Sequence, residues 1–259
     1  MIVGIGMVRD EADIIDQTMI NLRVQGVDRF IVLDNGSTDR TRSLLACSDV
    51  EVIDDPEVGY HQDAKMSKLA RLAHEQGATW VLPFDADEYW YCPDGDTIAG
   101  TLHTLPADVN VVAAQEFKHW PTPWDDPTPD PFQRIRWRET EPHRLHKVCF
   151  RATADPKVHM GNHGVNFGGY DPDRPDPAYL ALELRHYPYR SFNQFARKVR
   201  NGREAYEAAD LHPMFGTHWR EMGAYTDTQL REVWADCTAG TAYDHPWLGH
   251  GELIEDPAP

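Results

Sequence analysis

Two aspartates one residue apart, Asp85 and Asp87, close the apolar run of Thr-Trp-Val-Leu-Pro-Phe-Asp-Ala-Asp-Glu-Tyr-Trp over residues 79–90. A run of this length fits a buried strand, and the acids then sit at its carboxyl end. In open α/β sheets that edge is where ligands bind. Two carboxylates cost free energy there unless a positive partner joins them. A divalent cation with oxygen ligands, carrying a diphosphate, is the natural one. The same spacing recurs in Asp94-Gly-Asp96 and Asp171-Pro-Asp173, where the Gly/Pro context reads as turns. Only the first pair is aimed by a strand.

Two further pieces belong with it. Met7-Val-Arg-Asp-Glu11 follows an apolar stretch and offers backbone groups and a positive helix start, favourable for phosphate. Val8, Arg9 and Glu11 are its candidate contacts. Asp34-Asn-Gly-Ser-Thr-Asp39 offers a carboxylate, Asp34, placed to accept the N3–H of a uracil. Read alone, that segment is a tight turn with helix caps. Read alone, Asp85 and Asp87 cap the loop that follows them. Their joint appearance at successive strand ends favours a common site.

The elements that must position these pieces alternate strand and helix, the signature of a mostly parallel sheet. Strands are expected over 2–8, 30–33, 52–53, 80–84 and 109–117, and helices over 11–25, 38–46, 61–76 and 97–105. Residues 120–131, Trp-Pro-Thr-Pro-Trp-Asp-Asp-Pro-Thr-Pro-Asp-Pro, exclude a regular helix or central strand. A second Pro/Gly/Asp-rich loop is expected over 161–177, with strands at 147–151 and 180–186. From Ser191, a helix cap, Phe192, Phe195, Val199 and Tyr206 share one face. Short helices near 219–223 and 228–235 precede a polar tail. The expected division is a first half over 1–117, a second half with long loops over 118–190 and a helical carboxyl-terminal segment over 191–259.

At 259 residues the chain can bury a large core, and no run approaches the roughly 18 apolar residues of a membrane span. The amino terminus lacks a basic region before its apolar stretch and reads as a first strand, not a signal peptide. Cys47, Cys92, Cys149 and Cys237 are scattered without CxxC spacing, which suits reduced thiols in a cytoplasmic protein. A net charge of −17 argues against general nucleic-acid binding. The charge is uneven, however. Residues 185–203 carry Arg185, Arg190, Arg197, Lys198, Arg200 and Arg203 and no acid, and residues 134–151 carry six basic groups against Glu139 and Glu141. Such islands suit a compact anionic ligand; the alternative is two solvated faces.

The order Met-Val-Arg-Asp-Glu, Val-Leu-Asp-Asn-Gly-Ser-Thr-Asp-Arg-Thr and Phe-Asp-Ala-Asp-Glu-Tyr resembles the nucleotide-sugar half of GT-A glycosyltransferases. It is most similar to the family 2 type, in the branch related to family 92. Leu184-Arg-His-Tyr-Pro-Tyr-Arg-Ser191, with Lys198 in the helix after it, resembles that branch's carboxyl-terminal signature. The likeness covers about residues 1–90, and more loosely 140–206. It implies a GT-A, Rossmann-like α/β fold and a metal-dependent transferase moving a sugar from a nucleoside diphosphate donor, expected to be UDP-linked. The acceptor would be a small molecule or a glycan.

The resemblance also places roles on residues. Asp34 matches the acid that reads the base. Asp87 matches the direct ligand of Mn2+ or Mg2+, and Asp85, with Ala86, lies nearer the ribose or a metal-bound water. A further metal ligand is expected from a late histidine, His186 first and His163 second. The leaving diphosphate needs positive charge, for which Lys65, Lys68, Arg185, Lys198 and Arg200 are candidates. An inverting transfer, the expected outcome, also needs a base near the acceptor hydroxyl. Glu116 is one candidate, and Asp125 or Asp126 are others, though no Glu-Asp pair stands there as the family pattern has it. Trp120, Trp124 and Trp137 offer aromatic faces to a sugar, or fill the core. A nucleotidyltransferase would usually carry a Gly-rich loop after the first strand, which Met7-Val-Arg-Asp-Glu11 lacks. A non-catalytic nucleotide-sugar-binding module is the other alternative.

Overall fold

The computed structural model describes residues 1–166, 180–209 and 211–259. Most of the loop read at 161–177, and the Asp171-Pro-Asp173 turn, therefore lie outside the described residues. The chain forms two compact units, one of residues 1–56, 62–117 and 143–186, the other of 57–61, 118–142 and 187–259.

The first unit is built on β1 (Ile2–Val8), β2 (Arg29–Asp34), β3 (Val50–Asp54) and β4 (Trp80–Phe84), in the order β3-β2-β1-β4. All three pairings are parallel, with Val8 opposite Asp34 and Gly6 opposite Phe84. The register lines up the carboxyl ends of three strands, so Val8, Asp34 and Asp85 leave the sheet along one edge. Beyond β4 the sheet turns antiparallel through β8 (Lys147–Arg151) and then β6 (Val111–Trp120). Beside it, β5 (Glu88–Tyr91) pairs antiparallel with β9 (Leu180–His186).

Helices cover both faces, because the central strands are buried on both sides. On one face α1 (Ile15–Val24) and α4 (Ile98–Thr104) contribute Ile15, Met19, Leu22, Ile98 and Leu102 to a core with Phe30, Phe84 and Trp90. On the other, α3 (Gln62–Glu75) contributes Met66, Leu69, Ala70 and Ala73, packed with Ile5, Ile31 and Phe150. The sheet admits Phe84 because Gly6 faces it. A Cβ built at Gly6 would lie 2.8 Å from the Phe84 ring. The α/β class with a mostly parallel, helix-flanked sheet is the one expected from the sequence.

Two helices start later than the periodicity predicts. Helix α1 begins at Ile15 and α2 (Thr41–Leu44) at Thr41, where starts at 11 and 38 were expected. The intervening residues are bound to each other. Asp10, at φ 56°, accepts from the Thr38 and Asp39 amides through Oδ1, and its own amide donates to Ser37. The Glu11 amide donates to Thr41 Oγ1 and the Ala12 amide to Asp39.

In the second unit the last residues of β6 pair with β7 (Trp137–Glu139), which pairs with β10 (Leu253–Glu255). This last strand lies in the expected polar tail. The turn α5 (Pro131–Arg134) follows the proline-rich loop, with the Asp130 side chain accepting from the Phe132 amide. Helix α6 (Phe192–Ala208) starts where Ser191 accepts from the Gln194 amide, and buries Phe195, Val199 and Tyr206. Helices α7 (Thr217–Met222) and α8 (Asp227–Cys237) complete a core with Trp120, Met222, Leu230 and Leu248. Thr226 and Gln229 form a capping box on α8. No helix among the described residues is long and apolar enough to cross a membrane.

Candidate functional site

The Asp85-Ala-Asp-Glu88 turn joins β4 to β5 at the carboxyl edge of the first unit's sheet, and buried polar groups of α1 pin it. Thr18 donates to the Ala86 carbonyl, and the Asn21 side chain bonds both the amide and the carbonyl of Trp90, at 2.9 and 3.0 Å. Such satisfied polar contacts fix one backbone path in a core. The two acids consequently face different partners.

Asp87, 3% exposed, meets His186 at the end of β9, its Oδ1 lying 3.5 Å from Nε2. The other ring nitrogen, Nδ1, donates to Glu116 Oε1 at 2.7 Å. A second histidine, His143, lies 3.8 Å from Glu116 Oε2. Burial disfavours the charged ring, but Asp87 and Glu116 outweigh it and push His186 up to about 9. Burial likewise opposes the Glu116 charge, and His186 overrides it, holding the carboxyl well below the usual range.

Asp85 is held from two sides. Lys147 Nζ donates to Oδ2 at 2.6 Å, and Asn162 Nδ2 donates to Oδ1 at 3.1 Å. Lys147, 3% exposed, also lies 3.0 Å from Glu88 Oε1. Glu88 is completely buried, and its Oε2 accepts from the Asp85 amide and the Trp90 indole, both at 3.0 Å. Burial pushes Glu88 up to about 7 against the pull of Lys147. Burial opposes the Lys147 charge too, but Asp85, Glu88 and Glu116 raise it well above its ordinary value.

The remaining sequence candidates fall into place or out of it. Asp34 is buried, with Oδ1 accepting from the Ser37 amide at 3.0 Å and Oδ2 lying 3.5 Å from Arg42. It is thus both the expected acid at the strand end and the turn residue of the alternative reading. The phosphate seat expected at Val8, Arg9 and Glu11 needs correction. The Val8 carbonyl accepts from Asn35, and the amides of residues 10–12 bind the 37–41 loop, so they do not stand open to an anion. Lys65 is buried against Asp55 at 2.7 Å. Lys68 lines a surface cleft of about 610 Å³ together with Arg71, Lys157 and His159.

Arg185 requires a second correction. Neighbouring side chains on a strand point to opposite faces, so Arg185 cannot accompany His186. Its guanidinium lies over the Tyr91 and Phe117 rings, 5.2 and 4.9 Å from their centroids. The late basic island is also less bare than its sequence suggests. Arg200 pairs with Asp227 and Arg203 with Glu207, acids from outside 185–203. Lys198 and Arg200 belong to α6 in the second unit.

Glu116 is 3% exposed, bonded to His186 and strongly acidic, which is the opposite of a base poised near neutrality. Asp125 accepts from the Thr122 amide and hydroxyl, and Asp126 pairs with Arg136. His163 Nδ1 bonds the His146 carbonyl at 3.0 Å, and burial followed by the Lys147 charge lowers the ring to about 4. Trp120 is buried, whereas Trp124 is 54% exposed and packs against Trp137 with centroids 4.8 Å apart.

Sequence reasoning missed Glu88, Lys147, Asn162, Thr18 and Asn21. The first adjoins the acid motif, and the second is the one cation heading the apolar Lys-Val-Cys-Phe of β8. Asn162 sits at φ 59°, a conformation that asparagine tolerates better than most residues. No three of the described His, Cys, Asp and Glu residues are gathered as a ready-made metal cage. Asp87 and His186 are nevertheless near enough for one ion to touch both, since ligand bonds of about 2.1 Å span such a gap. The Glu116–His186 bond is the second contact usual behind a ligating imidazole.

The sheet and its acid-lined edge are those of a Rossmann-like α/β protein. No family model matches the chain, and no curated protein matches its sequence. Among solved structures it is similar in part to mannosyl-3-phosphoglycerate synthase from Rubrobacter xylanophilus, at 20% identity and a TM-score of 0.35. That match takes in 44% of this chain and 39% of the synthase. It is also similar to glucosyl-3-phosphoglycerate synthase from Mycobacterium tuberculosis, solved with Mn2+, UDP and glucosyl-3-phosphoglycerate, at 23% identity and a TM-score of 0.31. There the match takes in 45% of this chain and 43% of the enzyme, so this chain spans about two fifths of the length of either. Likenesses this distant leave function to the residues.

Proposed function

We propose that this protein is a metal-dependent glycosyltransferase that takes a sugar from a UDP-linked donor, of the family 2 type and the branch related to family 92. The observation that carries the reading is the Asp87–His186–Glu116 chain at the carboxyl edge of a GT-A-type sheet. Asp87 and His186 would hold Mn2+ or Mg2+, with Glu116 fixing the imidazole so that Nε2 is the ligating nitrogen. Bound there, such an ion would offer positive charge to a leaving diphosphate. Asp34, at the end of β2, supports the reading as the acceptor of the base N–H. Asp85 faces Lys147 and Asn162, which makes it the anchored member of the motif.

The acceptor, a small molecule or a glycan, has no base assigned to it, because Glu116 serves His186. The test is a donor screen. The protein is incubated with UDP-sugars and Mn2+, and UDP release is followed with and without excess chelator. Chelator-sensitive release with at least one donor is expected. Release that is indifferent to chelator, or none with any donor alongside undetectable UDP binding, overturns the reading.

A further inference from the structure

Lys147 is the most deeply embedded cation of the first unit's acid cluster, and the metal reading gives it no task. Lys147 is 3% exposed, and its ammonium reaches Asp85 Oδ2 at 2.6 Å and Glu88 Oε1 at 3.0 Å. A desolvated ammonium is tolerated only among compensating negative charges. Glu88 in turn is locked by the Asp85 amide and the Trp90 indole. On the opposite oxygen of Asp85, Asn162 donates at 3.1 Å, and its turn is fixed by a 2.7 Å bond from the Gly161 amide to Gln62. Both oxygens of the first acid therefore have protein donors, whereas Asp87 looks toward the imidazole of His186.

We propose that Lys147 is a resident counter-cation for Asp85, a positioning residue that occupies with ammonium the place a divalent ion would otherwise take there. With Asn162 it clamps the first acid and confines the site to a single divalent ion on the Asp87–His186 side. The proposal rests on reading this edge as a divalent-metal donor site. Two carboxylates, Asp85 and Glu88, share one lysine. Removing its charge leaves an acidic pocket that attracts cations more strongly by Coulomb's law. A lysine of purely structural value would lack this signature.

The test counts and weighs Mn2+ on metal-free protein at pH 8, by electron paramagnetic resonance of the free ion and by calorimetry. Wild type is expected to bind one Mn2+. Lys147→Met, verified as folded by its melt, is expected to bind Mn2+ at least about threefold more tightly or to take a second ion. Lys147→Met with Glu88→Gln restores the charge balance and should return to within about twofold of wild type. Asn162→Gly suits the positive φ and frees one Asp85 oxygen, so it should tighten binding in the same direction. A folded Lys147→Met with wild-type affinity and stoichiometry overturns the clamp. If that variant does not fold, unchanged affinity in Asn162→Gly overturns it. Wild type that binds no Mn2+ sinks the metal reading and, with it, the single-ion part of the proposal, leaving only the pairing of Lys147 with Asp85 to be tested. The clamp then stands if Lys147→Met acquires an Mn2+ site and falls if it does not.

Discussion

His186 and Asp87 face each other at 3.5 Å, Nε2 to Oδ1, although 99 residues of sequence separate them. Antiparallel pairing brings them together, because β9 lies beside β5 with His186 opposite Glu88, the residue after Asp87. An ion pair is what the protein makes of this contact without metal. A shared ion is what the same two atoms are suited to hold.

Replacing Asp87 with asparagine keeps the shape and removes the charge. Metal-dependent UDP release is expected to fall by about two orders of magnitude or more. Far-ultraviolet circular dichroism should be unchanged. Activity within a few-fold of wild type would leave Asp87 without a role.

Glu116→Gln separates an orienting residue from a base. A partner behind a ligating histidine typically contributes about 10–100-fold to metal affinity, so Mn2+ binding should weaken by that order in calorimetry. A general base would instead show as a lost turnover rate at unchanged Mn2+ affinity.

Two histidines give the metal-free protein opposed pH slopes. His186 is raised to about 9, so between its unfolded value near 6.5 and 9 the folded state binds the extra proton. Its contribution is complete below 6.5 and is lost as pH rises through 9. His163 is lowered to about 4, so between 6.5 and 4 the unfolded state binds the extra proton and stability falls with acid. Melting temperature should decline from pH 6.5 to 9.5, and His186→Gln should flatten that limb while leaving the acid limb. A rising limb in wild type would contradict the charged ring.

Asp34→Ala should weaken UDP binding by about 1–3 kcal/mol, the range for a lost charged hydrogen bond. The Ser37 amide loses its acceptor as well, so the melting temperature is measured in parallel. Unchanged UDP affinity would remove Asp34 from the base site and leave it as a turn residue.

Gly6→Ala tests how the acid turn is supported from below. The new methyl would meet the Phe84 ring at 2.8 Å, one residue before Asp85. Overpacking of this kind costs about 1–3 kcal/mol, read as a lower urea midpoint, and weaker Mn2+ binding should accompany it.

What the sequence disclosed was mostly local. The apolar run 80–84 and its terminal acids, the Ser191 cap and the buried face of α6 each depend on neighbouring residues alone, and they stand as expected. Strand β5 escaped notice because four residues after an acid motif carry no period of their own; β9, about 90 residues onward, makes them a strand. Lys147 and Asp85 are likewise 62 residues apart, joined because β8 runs antiparallel to β4. The partners of the late basic island, Asp227 and Glu207, lie outside residues 185–203 and meet it only through folding. Glu116 is a base candidate in the sequence because the resembled fold places that acid around the strand after the metal motif. Its engagement by His186 needed the third dimension.

The alternation on β9 sets a parity rule for change in this region. A slip of one residue against β5 would turn the guanidinium of Arg185 toward Glu116 and send the imidazole among Tyr91 and Phe117. A slip of two would restore the facing but shift the imidazole along the strand by about 6.6 Å, beyond reach of Asp87. Homologues and engineered variants should thus keep the phase of this strand against β5, whatever changes of length precede Leu180.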